Sequence, residues 1–149
     1  MANRFDWARL NHLQAGRYAE YFMKMEVTLC GFEVYTTEVD DRGIDFIMRR
    51  DGPFYEVQVK SARVLNYIFF DKPKFQLRDS LLAAIVLLHQ GVAPELYLIP
   101  STAWRTPTPL LVSNDYVGKK SKPDYGINLS KKNLELLKPY AFDLIESTL

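Results

Sequence analysis

The stretch GIDFIMRRDGPFYEVQVKS, residues 43–61, decides how this chain reads. IDFIMRR (Ile44 to Arg50) reads as a strand, Asp51-Gly52-Pro53 is a turn, and FYEVQVKSARV is a further extended run beyond it. Two such runs joined by a tight turn form an antiparallel hairpin. Side chains alternate along a strand, so Glu56, Gln58 and Lys60 share one face, and Tyr55, Val57, Val59 and Ser61 the other. Asp45 lies between Ile44 and Phe46. An acid within an apolar strand is costly unless a partner or a metal compensates it. Across the hairpin, Asp45 comes beside Gln58 and Lys60.

Upstream, FEVYTTEV (Phe32 to Val39) is a further strand, and DDRG is a turn in which Gly43 accepts positive φ. The three strands form a meander. Before them, Ala15, Tyr18, Ala19, Phe22, Met25 and Leu29 recur at helical spacing, which predicts a helix from about Ala8 to Cys30, stopped by Gly31. Downstream, NYIFFDKPKFQL (Asn66 to Leu77) reads as a loop or an extra hairpin. The apolar octet Leu81 to Leu88 reads as a buried helix capped by Asp79 or Ser80 and closed by Gly91. ELYLIP (Glu95 to Pro100) is a short strand. A turn-rich segment follows, then a short helix over KKNLELLK capped by Ser130 and stopped by Pro139. The expected order is αβββαβ in one domain spanning 1–149, with a core over about 8–100 and a C-terminal extension over about 101–149.

A carboxylate, a second oxygen ligand and a lysine clustered on a sheet suit hydrolysis of a phosphodiester. Asp45 and the side-chain carbonyl of Gln58 would hold Mg²⁺, which prefers oxygen ligands and keeps several waters; Mn²⁺ is expected to substitute. The cation acidifies a bound water and neutralises phosphate charge, and Lys60 steadies the attacking hydroxide. Glu20, on the first helix, adds a carboxylate directly or through water. Glu56 shares the face of Gln58 and is a minor candidate for a compensating acid, since two residues of strand span about 6.6 Å.

These residues bring a resemblance into view. Glu20 on a first helix, Gly43-Ile44-Asp45-Phe46 and Gln58-Val59-Lys60 resemble the PD-(D/E)XK nuclease superfamily, which includes restriction enzymes, Holliday junction resolvases and small homing endonucleases. The resemblance covers roughly residues 8–100. It implies an α/β, restriction-endonuclease-like αβββαβ core with a mixed four-stranded sheet flanked by helices. By position, Asp45 matches the metal-binding Asp, Lys60 the catalytic Lys and Glu20 the helical acid. Gly43-Ile44 stands where a proline commonly precedes the Asp, and the acidic position holds Gln58. The neutral amide weakens metal binding and leaves room for a compensating acid.

The remaining sequence sets bounds. The 149 residues carry 48% hydrophobic and 25% charged side chains, ordinary globular usage that excludes wholesale disorder. No apolar run is long enough for a membrane span and the N-terminus lacks an apolar leader core, so a cytoplasmic protein is expected. One cysteine, Cys30, excludes an internal disulfide and a multi-cysteine zinc site. His12 and His89 are the only histidines. His89 suits a helix end, and neither belongs to a Ser/His/Asp arrangement. No phosphate-cradling glycine motif is present.

The formal charge of +1 says nothing about nucleic acid, but residues 101–132 hold six bases against two acids. Arg105, Lys119, Lys120 and Lys122, interleaved with aromatics, suit contact with a DNA backbone, and they equally suit a solvated loop beside a buried Trp104. Ser61 bonds phosphate or merely ends its strand. The expected function is therefore a Mg²⁺-dependent DNA endonuclease acting as a homodimer or higher homo-oligomer, because one site cuts one strand. The alternative is an inactive module of the same fold that binds nucleic acid or a protein.

Overall fold

The computed structural model describes residues 4–38 and 42–149. Val39, Asp40 and Asp41, and with them the end of the first expected strand and the start of the DDRG turn, lie outside the described residues. After a single 3-10 turn at Trp7–Arg9, helix α1 spans His12–Leu29. It starts later than Ala8 because Asn11 and Gln14 form a reciprocal capping box, each side chain bonding the other's backbone N–H at 2.9 Å. It stops at Gly31, whose φ is +91°. Its buried ridge is Ala15, Ala19, Met23 and Val27; Met25 and Leu29, expected to face inward, are 61% and 83% exposed. The i, i+4 row places small alanines against the sheet and lets the helix approach closely.

The main sheet has the order β1-β2-β3-β5-β6, from Glu33–Tyr35, Phe46–Arg49, Phe54–Ala62, Leu81–Leu87 and Glu95–Pro100. The β1-β2-β3 meander is antiparallel as expected, and β3 runs parallel to β5, which makes the sheet mixed. Two expectations are corrected. The octet at Leu81 is a strand, not a helix, and the sheet has five strands rather than four. Because β5 is hydrogen-bonded on both edges and buried on both faces, its sequence shows continuous apolarity and no two-residue period. His89 accordingly caps no helix and pairs with Glu95 at 3.2 Å.

In place of the expected second helix, a second, antiparallel sheet covers the other face of the main sheet. Its order is β4-β8-β7, from Tyr67–Asp71, Asp124–Asn128 and Leu111–Asn114. The Asn66 to Leu77 segment thus supplies a strand, and the turn-rich segment supplies its two partners. Phe70 and Phe75 stack at 4.3 Å, and buried Trp104 meets both edge-on while donating its indole N–H to the Gly126 carbonyl at 3.0 Å. Near the C-terminus, α2 (Leu134–Leu137) lies between 3-10 turns, and α3 (Phe142–Glu146) packs on β6. Ser130 makes no capping bond, contrary to expectation.

Candidate active site

The main sheet has one dry face and one that opens at its edge. Val57, Phe46, Leu82 and Ala84 pack beneath α1 in one core cluster, while Ala83, Ile85, Ile68 and Phe70 belong to the cluster beneath the second sheet. Register places Gln58 beside Ala83 and Lys60 beside Ile85, so both belong to the second-sheet face. There, at the beginning of β2, three elements converge on a cavity of about 250 Å³ lined by Asp45, Gln58, Lys60, Asp71 and Lys74.

Each side chain is held by an identifiable contact. The ladder of β2 with β3 begins at Phe46–Val57. Just before it, the Asp45 backbone N–H donates to Val57 O at 2.9 Å, and its carboxylate accepts the Val59 N–H at 2.7 Å. The acid thereby satisfies an amide that the departing strand leaves behind, which answers the cost of its place among apolar residues. Gln58 is 5% exposed and donates its side-chain N–H to the Lys74 carbonyl. Gly43, at φ +77°, lies beneath that amide; a Cβ there would come within 3.3–3.4 Å of its N, C and O atoms. The Lys60 ammonium stands 5.6 Å from the Phe70 ring centre, a cation–π contact that directs it toward β4.

The other acids lie elsewhere. Glu56 lines an adjoining cavity of about 480 Å³ with Arg42, Lys74 and Arg78. Arg78 grips both its oxygens at 3.1 and 3.0 Å, and Ser80 donates to one at 3.2 Å. The Arg78 hydrogen bonds hold the Glu56 carboxyl below the usual glutamate range, against the opposing pull of burial. Glu56 is thus paired with Arg78 and lines the adjoining cavity, not that of Asp45. Glu20 sits on α1 as expected, but its carboxylate pairs with Lys24 at 3.0 Å and does not line the Asp45 cavity.

Ser61 joins Lys60 in a third cavity, of about 350 Å³, with His12, Tyr67 and Phe69. Lys119, Lys120 and Lys122 are exposed in the loop between β7 and β8. That loop is tied near the site, since Lys72 bonds Asp115 at 2.6 Å and Asp71 faces Asp124 in register. Arg105 is exposed at the end of the 3-10 turn Ser101–Arg105, and no cavity described above includes it.

Asp71 and Lys74 also line the site; no local spacing marks Asp71, which pairing of β4 with distant β8 places there. Asp45 and Gln58 present oxygen donors to one cavity, a set whose chemistry fits a hard divalent cation and not a thiophilic one. Among the described residues no group of three or more His, Cys, Asp and Glu side chains forms a metal cluster. Among them also, no helix is long and apolar enough to cross a membrane.

No protein-family model and no curated protein sequence matches the chain. Solved structures do. A Holliday junction resolvase from the archaeal hyperthermophile Archaeoglobus fulgidus is similar over 81% of this chain and 88% of its own, at TM-score 0.52 and 14% identity. A bacterial homing endonuclease is similar over 93% of this chain and 95% of its own, at TM-score 0.57 and 14% identity. The chain thus shares its overall fold with both, the restriction-endonuclease-like fold.

Proposed function

We propose that the chain is a metal-dependent DNA endonuclease whose active site is the Asp45–Gln58–Lys60 cavity. The observation that carries this reading is the convergence of those three side chains on one small cavity, within a fold shared with a resolvase and a homing endonuclease. Asp45 and the Gln58 carbonyl oxygen hold Mg²⁺ or Mn²⁺, which supplies a more acidic water and positive charge for the scissile phosphate. Lys60, directed by Phe70, contacts the attacking oxygen or the phosphate and stabilises its charge. Lys74 orients the Gln58 amide through its carbonyl, so that the side-chain oxygen is presented consistently. Glu20 acts only at a distance while Lys24 holds it.

The substrate is DNA held chiefly through its phosphates. Ser61, beside Lys60, and Lys119, Lys120, Lys122 and Arg105 contact the backbone without reading sequence, so affinity falls steeply with salt. One such site cuts one strand, and cutting both calls for two copies of the chain. The test is nicking of plasmid, branched and single-stranded DNA in Mg²⁺ or Mn²⁺ by wild-type, Asp45→Ala and Lys60→Ala proteins. Loss of nicking in both variants supports the reading, and activity surviving both changes rejects it.

A second reading, an inactive module of this fold that binds nucleic acid or protein, is favoured by the neutral Gln58 and the paired Glu20. It requires that Mn²⁺ show no Asp45-dependent binding in a calorimetric titration.

A further inference from the structure

Resting on the metal-dependent reading above, we propose that Asp71 supplies the second carboxylate of the Asp45–Gln58 cation site. Gln58 offers one neutral oxygen where a negative charge would strengthen a hold on a divalent cation, so another acid is needed nearby. Glu56 is bound through both oxygens by Arg78, and Glu20 is held by Lys24. Asp71 lines the same cavity as Asp45, Gln58 and Lys60.

The segment around Asp71 is bracketed by contacts to the site. One residue before it, the Phe70 ring receives the Lys60 ammonium at 5.6 Å. Three residues after it, the Lys74 carbonyl accepts the Gln58 amide. Its backbone is fixed as well, because Asp71 faces Asp124 across the β4–β8 ladder and the Lys72 N–H donates to Pro123 O at 3.1 Å. An acid so placed belongs to a rigid strand end rather than to a wandering loop. Two carboxylates, one amide oxygen and several waters form the kind of shell that Mg²⁺ and Mn²⁺ accept. The acid missing from β3 is on this account provided by β4, across the cavity.

The full chain is titrated with Mn²⁺ alone, by calorimetry, so that the result does not depend on cleavage. Asp71→Asn, which preserves shape, is expected to weaken Mn²⁺ binding about tenfold or more. Asp45→Asn is expected to weaken it at least as much. Asp71→Cys, made in a Cys30→Ala background so that no other thiol is present, tests ligation independently. Its thiolate binds Cd²⁺ with an ultraviolet charge-transfer band that disappears when Asp45→Asn is added. Mn²⁺ affinity within twofold of wild type in Asp71→Asn, alongside loss in Asp45→Asn, overturns the role of Asp71 and leaves the metal reading standing. Unchanged affinity in both variants overturns the two together.

Discussion

Val57 and Gln58 are neighbours on β3, yet they enter different chemical worlds. Val57 points beneath α1 into a core closed by Ala19, Met23 and Phe46. Gln58 points to the other face, where the second sheet packs over Ala83 and Ile85 but leaves a cavity at the start of β2. Both residues are buried, at 0% and 5% exposure, so burial alone does not mark the site. What marks it is polarity. On the helical side Val57 belongs to an apolar cluster, whereas on the second-sheet side the buried amide needs a partner and finds the Lys74 carbonyl. The helix builds stability and the second sheet builds the site, with β3 serving both.

Breaking the dry side has the largest expected effect. Val57→Asp places an unpaired charge under α1 and is expected to cost more than about 4 kcal/mol, enough to abolish the cooperative urea transition. A folded variant with near-wild-type stability would show that the dry face tolerates what only the wet face should. Next is the outer face of the second sheet. Buried Asp124 accepts from Tyr67 at 2.7 Å, Asn114 at 3.2 Å and Tyr116 at 3.1 Å, and the Tyr67 ring lies over Gly126, where a Cβ would collide. Asp124→Ala strands those donors and is expected to lower stability by about 2–3 kcal/mol in denaturant melts. Amide exchange should quicken in β7 and β8 more than in β5.

At the site itself, Gly43→Ala probes the turn beneath Gln58. Its positive φ and the close Gln58 amide together give an expected loss of about 1–2 kcal/mol. Mn²⁺ affinity should fall with it; an alanine variant that binds and melts as wild type would dissociate the turn from the amide. The smallest effect is the Glu56–Arg78 pair, part-exposed at 31% and 38% of the side chains and expected to contribute under about 1 kcal/mol. Because its folded pKa is lowered, chiefly by Arg78, its contribution is present above the ordinary glutamate range and is lost as pH falls through the folded value. Glu56→Gln should flatten that acidic limb of the stability curve without altering Mn²⁺ binding.

The β2–β3 hairpin was legible because its evidence is local. Alternation set which residues share a face, Asp51-Gly52-Pro53 marked the turn, and Asp45, Gln58 and Lys60 do meet at one cavity. The octet at Leu81 was not legible as a strand, because a run buried on both faces loses the two-residue period that distinguishes strand from helix. Its length of eight and its β-branched Ile85-Val86 pair were the available signals. On α1 the period was right and Ala15 and Ala19 do face inward, but in the C-terminal half the stripe ran to exposed Met25 and Leu29 instead of the buried Met23 and Val27. Asp71 was invisible for a different reason: its place depends on β4 pairing with a strand more than fifty residues later, and no local pattern encodes that.

Diffraction from a crystal soaked in Mn²⁺, recorded at a wavelength where manganese scatters anomalously, shows whether Asp45 and Gln58 share a cation. An anomalous peak in contact with the Asp45 carboxylate and the Gln58 side-chain oxygen, with the Lys60 ammonium nearby, is the predicted result. A well-occupied peak elsewhere on the chain and none between Asp45 and Gln58 would contradict it.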